Sequence, residues 1–279
     1  METPNRLNDG TLLYLYGLVP AAAELKGVAG VDNASNVFFV RHEEVACAVS
    51  FVPSQEYQDS DGRNPTEQLE WVMPRAWRHH EVLSHLHTAG AVVPLKFGTV
   101  CPTEHDVRAM LSRLRASILD LLVRFGGKDE WTLTVSVDRD ALTSVLQSED
   151  PRLSALCREA ESLAGGRAYM LRRKLEQATA AVAAEKLAAL EEVLFRRLFT
   201  AGLVSASIEP TPKQPPTGTQ LFINAALLLE RHRFTDLEAN LATFEEEHDT
   251  LRLRAHLTGP WPPYSFATTF GSMTGAQSN

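Results

Sequence analysis

The chain has 279 residues, of which 44% are hydrophobic and 22% are charged, and these proportions are ordinary for a folded protein of two domains. Its formal net charge of −8 argues against nucleic acid as the main partner, because phosphate binding requires a concentrated basic face. No apolar run reaches the roughly 20 residues that span a bilayer, so we expect no membrane partner.

Cysteine usage and the amino terminus predict a cytoplasmic protein. Cys47, Cys101 and Cys157 are widely spaced and form no CxxC pair, which fits a reducing cytosol and disfavours a disulfide or a structural zinc. The opening segment METPNRLNDG lacks the apolar core of a secretory signal.

Residues 1–127 predict a mixed α+β domain. Thr11–Val19 is rich in Leu and Tyr and predicts a strand. Val37–Val40 and Val45–Val52 predict two further strands, and the short polar link between them indicates a hairpin. The polar segment Pro53–Arg63 that follows predicts an exposed loop.

The stretch Asn64–Val100 predicts a helix that leads into a buried strand. Asn64 is suited to cap the helix and Pro65 to its first turn. Pro74 predicts a kink between two helical pieces, because an internal proline removes a hydrogen bond and clashes with the preceding turn. Ala91–Phe97 is an apolar run of strand length. Apolar side chains recur along the helix at three- and four-residue steps, which predicts one buried face: Leu69, Val72, Ala76, His79, Leu83 and Leu86.

A second helix and a domain boundary follow. Thr103 and Asp106 flank the start of this helix, whose apolar face runs from Val107 to Leu122. Gly126-Gly127 predicts its end, and we place the boundary between the two domains at residue 127.

Residues 128–279 predict a second domain with the element order strand, helices, strand, strand, helix, strand, which is the ferredoxin-like split βαβ pattern. The predicted strands are Trp131–Val137, Leu203–Ile208, Gln220–Glu230 and Leu251–Leu257. The predicted helices are Asp140–Gln147, Pro151–Ala164, the long Arg167–Thr200, and Asp236–Glu247 with a capping box formed by Thr235 and Glu238. The proline-rich segment Pro210–Thr219 predicts an extended loop.

The tail Thr258–Asn279 is assigned to this second domain. It places three prolines among aromatic residues. We expect Trp261, Tyr264 and Phe266 to pack back onto the body of the protein, because three exposed aromatics would form an apolar patch.

The main candidates for metal ligands are four histidines on the first predicted helix: His79, His80, His85 and His87. Zinc or iron needs ligands that share a helical face at three or four residues, as in HExxH, whereas His80 and His87 lie two turns apart with Ser84 between them. The alternative is a buried, hydrogen-bonded His79 with the other three at the surface or a domain contact. Further candidates lie beyond the predicted strand and would join through the fold: Cys101, Glu104 and His105.

The sequence lacks the motifs that are typical of catalytic sites. The sequence contains no GxSxG, GxGxxG or P-loop. We therefore predict no catalytic, cofactor-binding or metal-binding residues, no cofactor, and no enzyme activity. Lys96 lies within an apolar run and must pair with a carboxylate, reach the surface or mark an interface.

The long predicted helix has a basic side. Arg172-Arg173-Lys174 and Arg196-Arg197 could receive a phosphate or an acidic partner. Their alternation with Glu176, Glu185 and Glu191 instead favours a solvated helical face.

Four segments carry a resemblance to a known family. Leu12–Val19 contains YLYGLV; the stretch from Leu69 contains PR and HHE and continues into VPLKFGTV; Trp131–Asp138 has the sequence WTLTVSVD; and Thr258–Phe266 has TGPWPPYSF. They resemble the YLYGIV strand, the central helix with its PxRFGT strand, the EWxVKV strand and the GPWPPYSF ending of the gas vesicle protein F/L family. Lys96 stands where many members have arginine.

The resemblance implies a two-domain α+β protein whose second domain is a modified ferredoxin-like fold with a long helix. It also implies a cytosolic role in building gas vesicles, the hollow protein shells that give cells buoyancy. Members of the family are minor shell components or assembly factors thought to contact the main shell protein. The resemblance brings no enzymatic activity and no cofactor, and it does not separate F-type from L-type members.

Three classes of function follow as hypotheses. The first is binding of the small, strongly apolar main shell protein through an exposed sheet edge or apolar groove, with the Pro53–Arg63 loop and the edges of the second sheet as contact regions. The second is a metal-dependent enzyme or sensor that uses the His79–His87 region. The third is a small-molecule binding module, because ferredoxin-like domains host many unrelated functions.

Overall fold

A computed structural model describes residues 10–57, 69–208 and 218–271. Its contacts divide the chain into two compact units. One unit contains the described residues up to Glu130 together with those from Pro260 onward, and the other is Trp131–Gly259. The sequence analysis assigned the whole tail to the second domain, whereas the contacts group the tail from Pro260 with the first unit.

The two units together contain nine strands and seven helices within the described ranges. The strands are β1 (Thr11–Pro20), β2 (Phe38–His42), β3 (Val45–Pro53), β4 (Val93–Pro94), β5 (Val100–Cys101), β6 (Lys128–Asp138), β7 (Val204–Ile208), β8 (Thr219–Glu230) and β9 (Arg254–Trp261). The helices are α1 (Leu69–Ala89), α2 (Glu104–Phe125), α3 (Arg139–Glu149), α4 (Pro151–Ser162), α5 (Gly165–Thr200), α6 (Phe234–Glu247) and α7 (Tyr264–Gly271).

The first unit is organised around β1. This strand pairs antiparallel with β3, β4 and β5, and β3 pairs with β2 in the hairpin that the sequence predicted. Every residue from Leu12 to Val19 is buried, because α1 covers one face of the strand and α2 contacts its sheet as well. A strand buried on both faces has a continuous rather than an alternating apolar sequence, as β1 does.

Gly17 marks an irregularity at the centre of β1. The pairing register with β3 shifts between Leu15 and Gly17, as in a bulge. A Cβ atom at Gly17 would lie 3.0 Å from Leu83 of α1 and 3.0 Å from Val92, and 3.1 Å from the Val93 carbonyl oxygen. Glycine is therefore required here for the close approach of α1 and β4 to β1.

The predicted division of the first helix at Pro74 is wrong. The helix is continuous from Leu69 to Ala89, and Pro74 lies in its second described turn. Buried side chains further along, including Val82, Leu83 and Leu86, hold the helix on the sheet, so the single hydrogen bond that proline removes does not interrupt it. The predicted capping residues Asn64 and Pro65, and residues 58–63 of the predicted loop, lie outside the described residues.

The predicted strand Ala91–Phe97 is also shorter than expected. Only Val93 and Pro94 form β4, after which the Leu95 N–H donates to the Tyr16 carbonyl at 2.9 Å. Gly98 then adopts a φ of +82° and turns the chain into β5. Lys96 lies at this turn with its side chain exposed, so it reaches solvent as one of the predicted alternatives required.

The second α helix and the segment that follows it agree with the sequence pattern. Thr103 Oγ1 accepts a hydrogen bond from the Asp106 N–H at 3.1 Å, which caps α2 as predicted. Gly127, with a φ of +69°, ends the helix and leads into β6.

The second unit is a four-stranded sheet in the order β7-β8-β6-β9. In chain order these are the second, third, first and fourth strands of the unit, and the interposed helices give the predicted ferredoxin-like pattern. The core side chains of β6 alternate as expected, since Leu133, Val135 and Val137 are buried. The pattern is modified because three helices, ending with the 36-residue α5, connect β6 to β7.

One predicted cap in this unit is wrong. Thr235 lies within the first turn of α6, which begins at Phe234 directly after a short 3-10 turn. The residue at the cap position is Arg233, and it makes no side-chain capping bond. Because the chain enters the helix without an extended residue, the Thr235–Glu238 capping box has no place to form. Of the predicted loop Pro210–Thr219, residues 210–217 lie outside the described residues.

Candidate functional site

His79 lies in the core of the first unit, as predicted. Its Nδ1 is 3.0 Å from the hydroxyl of Tyr14, and that hydroxyl accepts a hydrogen bond from the Gly98 N–H at 3.0 Å. Either the Tyr14 hydroxyl or the His79 Nδ1–H can be the donor in the first of these contacts, according to the tautomer of the imidazole. The ring stacks on Tyr16 at a centroid distance of 5.6 Å and meets Phe97 edge-on at 5.8 Å.

This environment keeps the imidazole neutral. Burial lowers the pKa of His79 from 6.5 to about 4, and the backbone hydrogen bond with Leu95 offsets part of the effect. Burial also raises the pKa of Tyr14 well above 10. A neutral, enclosed imidazole with polar partners in the protein core has a packing role rather than an acid–base one.

His80 and His87 contact two different parts of the first unit. His80 Nδ1 is 2.9 Å from the hydroxyl of Tyr264 in the tail, whereas His87 Nε2 is 2.7 Å from a carboxylate oxygen of Asp129. The prediction placed His87 at the surface or at a domain contact, and the structure buries its side chain beside Asp129. His85 is exposed and bonds the Glu81 carbonyl at 2.8 Å.

The histidines are thus not gathered into one ligand set. Each of His79, His80 and His87 points to a separate protein group. Within the ranges 10–57, 69–208 and 218–271, no group of three or more His, Cys, Asp or Glu side chains is arranged to hold a metal ion. Cys101, the nearest of the other candidates along the chain, places its Sγ 3.9 Å from the Thr103 carbonyl oxygen.

The tail packs onto the first unit, which confirms the prediction for its aromatic residues. Trp261 meets His80 edge-on at 5.5 Å, and Tyr264 packs against the buried core of this unit. The guanidinium of Arg124 lies 5.9 Å from the ring of Phe266.

A buried carboxylate fixes the start of α7. The Ser265 N–H and hydroxyl both donate to the carboxylate of Glu130, at 2.8 and 2.9 Å, and Glu130 is buried. These two bonds occupy the N–H and hydroxyl donors of Ser265 in the first turn of α7, where backbone N–H groups have no partner within the helix. We call this contact, together with His80–Tyr264, the tail clasp.

The described part of the first unit has a ridge of exposed apolar side chains on α1. Leu69, Met73 and Trp77 lie at successive four-residue steps, and their exposed fractions are 72%, 60% and 66%. Four-residue spacing places them one above another on the same side of the helix. We call these three side chains the α1 ridge.

The α1 ridge corrects the predicted apolar face of the helix. That prediction counted Leu69 with the buried side chains, whereas burial begins further along, with His79, Leu83 and Leu86 inside and Val72 and Ala76 half-buried. The four-residue spacing of Leu69, Met73 and Trp77 was the available signal. The signal is ambiguous because Leu69 belongs both to this series and to the series of three- and four-residue steps that leads to the buried face.

The sheet of the second unit has two edge strands. In the described part of the chain, β7 and β9 are the outermost strands of the order β7-β8-β6-β9, so each pairs there with one neighbouring strand. Side chains of β9 alternate between exposed and half-buried along its whole length. Throughout the described ranges, no helix is both long and apolar enough to span a bilayer.

The fold and its surface define a class of protein. It is an α+β protein with a ferredoxin-like sheet, a helical ridge of exposed apolar side chains, and histidines that are hydrogen-bonded to other groups of the same chain. The sequence matches the family described as gas vesicle synthesis protein GvpL/GvpF over residues 12–268. The chain therefore belongs to the GvpL/GvpF family of gas vesicle proteins.

Relatives and solved structures agree with this assignment. The chain is 30% identical over 275 residues to gas vesicle protein L of Streptomyces sp. (strain CB03234), with 94% of each chain covered. It is 30% identical over 257 residues to gas vesicle protein F of the same strain, with 91% of this chain and 98% of the relative covered. Because the identity to the L protein and to the F protein is the same, the comparison supports membership of the family and does not favour the L type or the F type.

The fold is shared with solved members of the family. The crystal structure of GvpF from Anabaena sp. PCC7120 superposes with a TM-score of 0.71 at 20% identity, covering 92% of this chain and 98% of that one. For GvpF from Microcystis aeruginosa the TM-score is 0.62, with the same identity and coverage. These structures confirm the predicted α+β fold class.

Proposed function

We propose that the chain is a minor shell component or assembly factor that binds the major gas vesicle shell protein while vesicles form, in the cytoplasm and at the vesicle. Membership of the GvpL/GvpF family supports a role in gas vesicles. The structural observation that carries the binding role is the α1 ridge, because three large apolar side chains remain exposed at one-turn spacing.

The ridge fits the chemistry expected of the partner. A strongly apolar shell protein needs its apolar surface covered before it assembles, and burial of that surface against another apolar surface is favourable. A row of apolar side chains at four-residue steps is the pattern with which one helix packs against another. The loop Pro53–Arg63 and the edge strands β7 and β9 remain proposed as additional contacts.

The geometry gives less support to the rival class, a metal-dependent enzyme or sensor that uses His79–His87. His79 is enclosed by aromatic rings and bonded to Tyr14, so a ligand would have to displace core contacts to reach it. His80 and His87 bond Tyr264 and Asp129, which are different partners. These bonds account for the three side chains as structural elements.

The test is a pull-down of the purified shell protein with the purified chain at about 0.1 M and about 1 M salt. We expect binding at both, because apolar burial is not screened as exposed ion pairs are. Replacing the ridge by L69Q/M73Q/W77Q should weaken binding at least about tenfold, which corresponds to about 1.4 kcal/mol. Circular dichroism should show an unchanged fold, because glutamine is compatible with an exposed helix.

The control is V123Q/V193Q, which places glutamine at two exposed apolar side chains, one on α2 and one on α5. This variant should bind like the unmodified chain. Absence of binding by the well-folded, unmodified chain at both salt concentrations would refute the proposed function. Equal binding by the ridge variant and the control would keep the function and move the interface away from α1.

A further inference from the structure

The first three turns of α5 combine exposed apolar and basic side chains. Tyr169 and Met170 are 59% and 68% exposed. Each is followed four residues later by an exposed cation, Arg173 or Lys174, which lies beside it on the helix surface. We call the exposed set the basic end of α5: Arg167, Tyr169, Met170, Arg172, Arg173 and Lys174.

The opposite side of these turns anchors the helix. Ala168 and Thr179 are buried, Leu171 is half-buried, and Leu175 and Ala178 are half-buried against the core of the second unit. The basic end therefore lies on the side of the helix turned away from these buried residues, with Tyr169 and Met170 between Arg172 and Lys174 around the helix.

The cations of the basic end differ from the other cations of the helix in their pairing. Among the described residues, Arg167, Arg172, Arg173 and Lys174 form no ion pair within 4.0 Å. Lys186, Arg196 and Arg197, further along α5, each lie beside a glutamate carboxylate. Glu176 lies one turn beyond Arg172 without pairing with it, so the basic end keeps a local positive field in a chain of net charge −8.

We infer that the basic end of α5 is a docking surface for an acidic amphipathic helix of a partner protein. The complementary surface has apolar side chains that cover Tyr169 and Met170, with Asp or Glu around them that pair with the flanking cations. Tyrosine, methionine and arginine are also the residue types enriched in protein interfaces. This surface lies in the second unit and is independent of the α1 ridge.

Two features favour a protein over a phosphate-bearing partner. The net charge of −8 repels nucleic acid and anionic membranes over the molecule as a whole, whereas four cations around an apolar pair are matched by a short acidic segment. The exposed Tyr169–Met170 pair requires an apolar counterpart, which a phosphate backbone does not supply.

The two surfaces should differ in how strongly salt affects binding. Binding at the basic end gains its steering and part of its affinity from exposed charges, so it should weaken as salt is raised. Binding at the α1 ridge should not weaken as salt is raised, because it depends on apolar burial. Failure of one proposal is therefore distinguishable from failure of the other.

The test uses the full chain and a fluorescent synthetic 18-residue helical peptide that carries leucines along one face and glutamates on both sides of them. Fluorescence anisotropy should report binding that weakens at least about fivefold between about 0.05 M and 0.5 M salt. The variant R172Q/R173Q/K174Q should weaken binding about tenfold or more and flatten the salt dependence. The variant Y169S/M170S should weaken binding while the salt dependence is kept, because it removes apolar contact alone.

The control K26Q/R108Q/R196Q removes the same three charges at exposed cations that pair with nearby carboxylates elsewhere. Binding within about twofold of the unmodified chain is expected for it, because such surface pairs contribute little. Three outcomes would overturn the inference: no binding of the peptide, an equal loss in the control, or tighter binding to a 20-base-pair DNA duplex or to phosphatidylserine vesicles than to the peptide.

Discussion

The hydroxyl of Tyr14 on β1 lies 3.0 Å from Nδ1 of His79 on α1, and this hydrogen bond joins residues 65 positions apart in the core of the first unit. Gly98, at the turn before β5, donates to the same hydroxyl at 3.0 Å. One buried hydroxyl thus connects the central strand, the covering helix and the turn between β4 and β5. The pH dependence of stability follows from the state of this imidazole.

We predict that acid destabilises the first unit through His79. Its pKa falls from 6.5 to about 4 on folding because of burial, so between these values the unfolded chain binds a proton that the folded chain does not. Stability is then fully present above about pH 6.5 and is lost as the pH falls, by about 3 kcal/mol for this shift. Urea unfolding at several pH values, followed by a probe in the first unit, measures the slope.

The matched pair of variants is H79Q and H85Q, on the same helix. H79Q should be less stable at pH 7, because it loses ring packing, and should show a flatter slope between pH 6.5 and 4. H85Q should retain the slope of the unmodified chain, because His85 is exposed. An unchanged slope in a folded H79Q protein would assign the acid sensitivity to other groups.

A second prediction concerns the close packing at Gly17. G17A should cost about 1–3 kcal/mol, because the added carbon would lie 3.0 Å from Leu83 and from Val92 and one of the elements must move. G90A is the control, since no atom lies within 4 Å of a carbon added there. Thermal unfolding should separate the two variants clearly, and equal melting temperatures would contradict the close approach.

A third prediction concerns the tail clasp. Truncation after Pro263 removes Tyr264 and Ser265 and leaves the buried carboxylate of Glu130 without two of its donors. Because hydrogen bonds to charged groups contribute about 1.5–3 kcal/mol each, we expect a loss of about 3 kcal/mol or more in the first unit.

Hydrogen exchange followed by mass spectrometry locates this loss. Exchange should rise in α1 and β1, whereas β8 of the second unit should change little. Truncation after Gly271 keeps every described contact of the clasp and serves as the control. Increased exchange confined to the second unit would contradict the grouping of the tail with the first.

The buried pair His87–Asp129 provides a fourth prediction. H87Q should destabilise the first unit by about 1–3 kcal/mol, because it breaks a 2.7 Å contact at a largely buried site. H85Q, two residues earlier on the exposed side of α1, should change the free energy of unfolding by less than about 0.5 kcal/mol. Equal unfolding midpoints in urea would show that the pair does not contribute.

Local sequence patterns predicted most of the elements of the fold. The alternation of Leu133, Val135 and Val137 in β6 identified a half-buried strand, and Thr103 identified the start of α2, because both signals involve residues within a few positions of one another. The element order of the second unit then followed the ferredoxin-like pattern.

The errors arose where distant contacts decide the outcome. Pro74 does not divide α1, because the later turns of that helix pack on β1. Two further features could not be read from the sequence for the same reason: His87 is buried beside Asp129, and Glu130 accepts hydrogen bonds from Ser265, 135 residues further on. A pattern over neighbouring residues cannot reveal partners that lie this far apart in the sequence. The exposure of the α1 ridge depends equally on which neighbouring elements leave it uncovered.

The separation of Glu130 from Ser265 also orders events during synthesis. The second unit is one continuous segment, Trp131–Gly259, and it can complete its sheet as soon as β9 leaves the ribosome. The first unit must wait for Ser265, 135 residues after Glu130, which takes on the order of ten seconds at typical rates of elongation. During that interval the buried carboxylate has no clasp, so we expect the first unit to be the part of the nascent chain that needs protection by chaperones.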